Sequence, residues 1–334
     1  MMFWGAGIFS NDSNWSDLLG LQTCVDFGDY ALLGPGTPSR MLPKLLVVPP
    51  ASGHASTLMA DLTVGFRESA DIYVLHLRDP KLMPEGSVQF GVQDQVRAIS
   101  KSLAVLKSAS AAPLWCLAAC QAAGPALMAA ATSTPDALAF VAAPLNPRAK
   151  SGGVAKLFET QSHEGLLDTL SALTRTLSNG RRVLPAPVQM AAILQGKGGA
   201  ARVLAQETYA SFWPASFFTG NKNRSRFRRA VLTDGQNIDA RLLGEALRFN
   251  FIDRPFDGPE SLMQDMDIPI LTVAGSADTI VPAAQCHSIE DICGNAKIES
   301  YTAPSLDHFD LFFGDTSQFE LSPKILDFFV RTAT

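Results

Sequence analysis

Short, continuously apolar runs recur up to residue 145 and again after residue 265, separated by stretches whose apolar positions fall at helical spacing. The runs are KLLVVPP (44–50), DIYVLHLRD (71–79), APLWCLAAC (112–120), DALAFVAAPL (136–145), IPILTVAGSAD (268–278) and AKIESYTAPS (296–305). Unbroken apolar runs of this length fit strands buried on both faces, as in a parallel sheet. Between them, FGVQDQVRAISKSLAVLKS (90–108) carries Val92, Val96, Ile99, Leu103 and Leu106 at helical spacing. SPKILDFFVRTA (322–333) predicts a closing helix, with Ser322 as N-cap and Pro323 at the first helical position. The alternation predicts an α/β fold, a mostly parallel sheet with helices on both faces.

From residue 146 to 264 this rhythm stops. No strong strand pattern is present, while SHEGLLDTLSALTRTL (162–177) and NIDARLLGEALRF (237–249) read as helices. The segment is too long for a loop. It reads as a helical cap (146–264) inserted into a core made of 1–145 and 265–334. Within it, the basic stretch NKNRSRFRR (221–229) reads as a solvated surface. The aromatic patch SFWPASFF (211–218) suits a channel lining and internal packing equally.

Composition narrows the classes. Of 334 residues, 47% are hydrophobic and 18% charged, enough for a sizeable core and too apolar for a disordered chain. A net charge of −5 argues against a nucleic-acid partner. The five cysteines are odd in number and irregularly spaced, as free thiols in a reducing compartment would be. Cys286 and Cys293 lack partners at metal-ligand spacing, so no metal is expected. The first basic residue is Arg40, unlike a signal or transit peptide, and no apolar run approaches the ~18 residues of a membrane span. A cytoplasmic protein is therefore expected, with its oligomeric state open.

The chemistry centres on LWCLAACQAAGPAL (114–127), which reads as a buried strand turning sharply into a small-residue helix with Cys120 at the corner. That context exposes a nucleophile at the carboxyl end of a sheet and sets a helix N-terminus behind it. The crowded turn requires small residues two before and two after, here Ala118 and Ala122. Taken alone, a cysteine in an apolar run is a core residue. Asp278 and His308 change the balance, because each follows one of the later strand runs. The order nucleophile, Asp, His is the one an α/β-hydrolase requires. In that reading Asp278 fixes the imidazole tautomer, and His308 takes the Cys120 proton and later activates water. Ser52, Gly53 and His54, in a turn after the first strong run, and the N–H of Gln121 are the candidate oxyanion donors. Cys116 reads as core by strand alternation, and Asp307 and Asp310 as solvation of the histidine loop.

PPASGHASTL, followed by DIYVLHLRDPKLMPEGSVQFGVQDQV and LAACQA, resembles the intracellular polyhydroxyalkanoate (poly-3-hydroxybutyrate) depolymerases. These are α/β-hydrolase-like enzymes related to the polyhydroxyalkanoate synthases. The resemblance covers about residues 40–145 and 265–332, and has Ala122 where the family often has a proline after the Cys-Gln pair. It implies a Cys120–His308–Asp278 triad, no cofactor, and a storage-polyester granule or 3-hydroxyacyl ester as substrate. Two other roles stay open at this stage. One is a synthase-like acyltransferase consuming 3-hydroxyacyl-CoA, and the other a non-catalytic granule-associated relative.

Overall fold

The computed structural model describes residues 12–39, 41–51, 59–147, 149, 165, 168, 171–189, 235–251 and 263–332. The first described elements are α1 (Asp12–Leu19) and a hairpin of β1 (Leu21–Asp26) and β2 (Tyr30–Pro35), followed by β3 (Lys44–Val48). Next come α2 (Ala60–Val64), β4 (Asp71–Leu77), α3 (Val92–Ala109), β5 (Leu114–Ala119), α4 (Ala123–Thr132) and β6 (Ala137–Val141). An inserted segment supplies β7 (Arg175–Thr176), β8 (Arg182–Leu184), β9 (Ile238–Asp239) and α5 (Ala240–Phe251). The core then resumes with β10 (Ile270–Gly275), α6 (Ala283–His287), β11 (Ile298–Ala303) and α7 (Ser322–Thr332).

Eight strands form one sheet in the order β1-β2-β4-β3-β5-β6-β10-β11. Only the β1–β2 and β2–β4 pairs are antiparallel. All six apolar runs are strands of this sheet, and β1 and β2 add two that the pattern does not predict. β1 is a mostly exposed edge strand, and β2 buries a run too short to stand out. Side-chain alternation sorts the central strands between two apolar layers. Leu46, Val48, Cys116 and Ala118 face one layer with α3, α4 and α5. Leu45, Val47, Trp115 and Leu117 face the other, where Trp115 stacks on Phe329 of α7 at 5.0 Å. Cys116 is fully buried, and that burial pushes its thiol up to about 12.

The inserted segment is not purely helical. Among its described residues β7, β8 and β9 form a small antiparallel sheet. Strands of two or three residues carry no periodicity, and β9 lies far along the chain from β8. The predicted helix 162–177 falls mostly outside the described residues, and its end, Arg175–Thr176, is β7. The helix expected at 237–249 is present as α5. The basic stretch 221–229, the aromatic patch 211–218 and the turn carrying Ser52, Gly53 and His54 all lie outside the described residues.

α5 is tied to the core by polar bonds that span the sequence. The Glu245 carboxylate accepts the N–H of Val92 at 2.8 Å, at the start of α3. There the N-cap is Gly91, which has no side chain to do so. Replacing Glu245 by Ala is expected to cost about 1 kcal/mol of stability, the usual scale for a lost N-terminal cap, measured as a lower urea midpoint.

Candidate active site

β5 lies between β3 and β6, where the strand order reverses direction. Crevices at the carboxyl ends of strands beside such a switch are where open α/β sheets bind ligands. At that end β5 is fully buried, and the chain turns through residues 120–122 directly into α4. Ala119 is still extended (φ −117°), whereas Cys120 has φ +48°. A non-glycine residue held left-handed costs on the order of 1–3 kcal/mol and persists only where its surroundings impose it. Val48 of β3 pairs with Ala118 and Val141 of β6 with Ala119, so the turn is walled on both sides. Ala118 and Ala122 are both fully buried, which explains the demand for small side chains. Cys120 is half-buried, unlike Cys116, Cys286 and Cys293.

Asp278 follows β10 and His308 follows β11, so both loops rise at the same sheet edge as Cys120. Gly275 lets them meet, since a Cβ there would strike the Leu306 carbonyl. The two loops also share bonds from Ala277 N–H to Leu306 O (3.0 Å) and from Ser305 N–H to Ser276 Oγ (2.7 Å). The Asp278 carboxylate has both oxygens engaged. Oδ1 accepts the N–H groups of Ile280 and Val281, each at 2.8 Å. Oδ2 lies 2.8 Å from His308 Nδ1. That contact places the proton on Nδ1 and leaves Nε2 as the nitrogen available to the thiol.

His308 is buried, with Phe309 and Phe312 edge-on to its ring. Burial alone would lower its pKa. The charge of Cys120 and Asp278 and the hydrogen bonds to both outweigh burial, lifting the imidazolium to about 10. A pKa raised in the folded state adds stability that is fully present below the ordinary value of 6.5 and is lost as pH rises toward about 10. The wild-type urea midpoint is thus expected to fall between about pH 7 and pH 10 more than that of His308→Gln, which has nothing to titrate there. Equal slopes would refute the coupling.

The structure brings Cys120, His308 and Asp278 together, with Gln121 in the turn beside them. The remaining expected donors, Ser52, Gly53 and His54, are outside the described residues. Asp307 does more than solvate its loop. Its Oδ1 accepts the N–H groups of Phe309 (2.9 Å) and Asp310 (3.1 Å), fixing the turn that carries His308. An Asp directly before the turn is a sequence signal for such a bond. Asn250 of α5 reaches the turn from the insertion, donating to Gln121 O at 3.4 Å, and nothing local in the sequence marks it. Among the described residues no group of three or more His, Cys, Asp or Glu is placed to hold a metal ion. Nor is any helix there long and apolar enough to cross a membrane.

This architecture is the α/β-hydrolase fold. The structure is similar to a soluble variant of monoglyceride lipase from Saccharomyces cerevisiae, solved in complex with a substrate analog. That match has a TM-score of 0.59 and 12% identity, over 94% of this chain and 95% of the other. A carboxylesterase structure from the ammonia-oxidizing thaumarchaeon Nitrososphaera gargenis matches with TM-score 0.55 and 12% identity, covering 93% and 99%. A thermophilic esterase from Thermogutta terrifontis matches with TM-score 0.50 and 13% identity, covering 94% and 98%. No family model matches the chain, and no curated protein matches it.

Proposed function

We propose that this protein hydrolyses carboxylic esters through a covalent thioester on Cys120. The observation that carries the reading is the left-handed Cys120, at the strand-to-helix turn, beside an imidazole whose other nitrogen is bonded to a buried carboxylate. The Cys120 thiolate attacks the ester carbonyl. The tetrahedral oxyanion is received by the N–H of Gln121, with Ser52, Gly53 and His54, which lie outside the described residues, as the candidates for a second donor. The intermediate collapses, the C–O bond breaks, and protonated His308 gives its proton to the departing alkoxide. Neutral His308 then takes a proton from water as it attacks the thioester, and the acid leaves with the thiolate restored. Asp278 holds the imidazole tautomer throughout. The esterase and lipase neighbours, and a Cys120 that is not sealed from solvent, support this reading over a scaffold role.

Within that class the substrate we propose is an intracellular polyhydroxyalkanoate, on the strength of the SGH turn and the ACQ corner and their resemblance to the depolymerases. The test incubates purified protein with amorphous poly-3-hydroxybutyrate granules, with a short-chain aryl ester, and with 3-hydroxybutyryl-CoA. Release of hydroxy acid from granules supports the full reading. Turnover of the aryl ester alone keeps the chemistry and removes the polymer. Free CoA appearing together with polymer would make the protein an acyltransferase, and no turnover of any ester would refute the proposal.

A further inference from the structure

The turn that carries Cys120 has a defect written into its sequence. Residues 120–122 form a tight 3-10 turn, with the Ala123 N–H bonded to Cys120 O, that runs straight into α4; continuing the α-helical ladder back by one residue would pair the Gln121 carbonyl with the N–H of position 125. Position 125 is proline, which has no N–H to give. The donor comes instead from within the inserted segment. Asn250 Nδ2 donates to Gln121 O at 3.4 Å and, with its second hydrogen, to Ala246 O at 2.8 Å within its own helix. The second bond fixes the side-chain direction, and Asn250 is 6% exposed. The approach is possible because position 124 is glycine, where a Cβ would strike the Phe249 ring. Gly124, Pro125, Phe249 and Asn250 thus form one joint between the turn and α5.

We infer that Asn250 is a positioning residue for the nucleophile, an inserted-segment side chain that stands in for the missing amide of Pro125 and holds the turn carrying Cys120. The inference rests on the reading of Cys120 as the reactive thiol. It also makes α5 a part of the site rather than a cover over it. The joint is reciprocal: a chain that keeps Pro125 needs a donor from α5, and a chain with an amide at 125 does not.

The test is a rescue cycle in a Cys24→Ser background, since Cys24 is exposed and would be alkylated alongside the half-buried Cys120. Asn250→Ala, Asn250→Leu, Pro125→Ala and Asn250→Ala with Pro125→Ala are compared with the parent. Two readouts are used: kcat and KM on an ester, and the pH profile of Cys120 alkylation by iodoacetamide, with Cys120→Ala as blank. Asn250→Ala and Asn250→Leu are expected to lower kcat about tenfold with KM little changed, as for one displaced hydrogen bond at a reacting centre, and to move the alkylation profile. Adding Pro125→Ala is expected to restore both toward the parent. Parent-like kcat and alkylation in the Asn250 variants would overturn the inference, and so would a failure of Pro125→Ala to rescue them. If Asn250→Ala does not fold, Asn250→Leu and the double variant decide in the same way. Should the parent turn over no ester, the alkylation profiles still judge Asn250, so the two proposals fail separately.

Discussion

Replacing Cys120 by alanine is expected to lower ester turnover by at least about 10⁴-fold with little change in KM, the scale on which removal of a covalent nucleophile acts. In the proposed mechanism substrate binding draws on groups other than the thiol, which the change leaves in place. Cys120→Ser keeps a nucleophile and still falls short, because a hydroxyl is far from ionised where a thiol can be a thiolate beside an imidazolium. Asp278→Asn is expected to lose about 10³–10⁴-fold by presenting His308 with the wrong tautomer partner, again at nearly constant KM. The backbone adds a sharper contrast. Cys120 sits at φ +48°, a conformation that glycine adopts without penalty. Cys120→Gly should therefore be inactive like Cys120→Ala and yet more stable than Cys120→Ala by about 1 kcal/mol, seen as a higher urea midpoint, because both lack the thiol and only alanine keeps the strain. A Cys120→Ala protein that keeps wild-type kcat would end the thioester mechanism.

The parallel strands were legible because each is buried on both faces and so reads as an unbroken apolar run; Leu114–Ala119 and Ile270–Gly275 show it best. β1 was not, because an exposed edge strand shows neither alternation nor a run, as its Gln22 and Thr23 illustrate. The positions of Cys120, Asp278 and His308 could be read because strand ends locate a site in this kind of sheet, and three strand ends carried the three residue types in order. What pairs them could not be read. The two loops meet through Gly275 and the Leu306 carbonyl, a contact across 31 positions that no local pattern encodes. The same holds for Asn250, inside the insertion, and Gln121, in the core before it. Helical spacing located α5 but said nothing of what its end would touch.

The insertion is held by a buried ion cluster at its other end, and removing its centre is the largest stability change expected. Arg181 is 3% exposed. Its guanidinium binds both oxygens of Asp29, at 3.0 and 3.1 Å, and reaches Asp239 at 3.5 Å. It also donates to Ser87 Oγ at 2.9 Å and Val88 O at 2.7 Å. One cation thus ties the β1–β2 turn, the loop after β4 and the insertion together. Burial raises the pKa of Asp29 and of Asp239, and Arg181 is the charge that opposes it. Arg181→Met takes from Asp29 and Asp239 the cation they share, and is expected to cost about 3–5 kcal/mol near neutral pH, the price of breaking a buried pair from one side. The pH dependence identifies the cause. Carboxylates whose folded pKa lies above the unfolded value of 3.8 destabilise the fold when ionised and cease to do so once protonated. The deficit of Arg181→Met should therefore shrink as pH falls toward about 4, whereas a deficit from lost packing would not. Adding Asp29→Asn and Asp239→Asn should recover most of the loss at neutral pH, since an amide carries no charge to leave unpaired. Urea midpoints of the wild type, Arg181→Met and the triple variant at two pH values measure both effects. A pH-independent loss would assign Arg181 to packing alone.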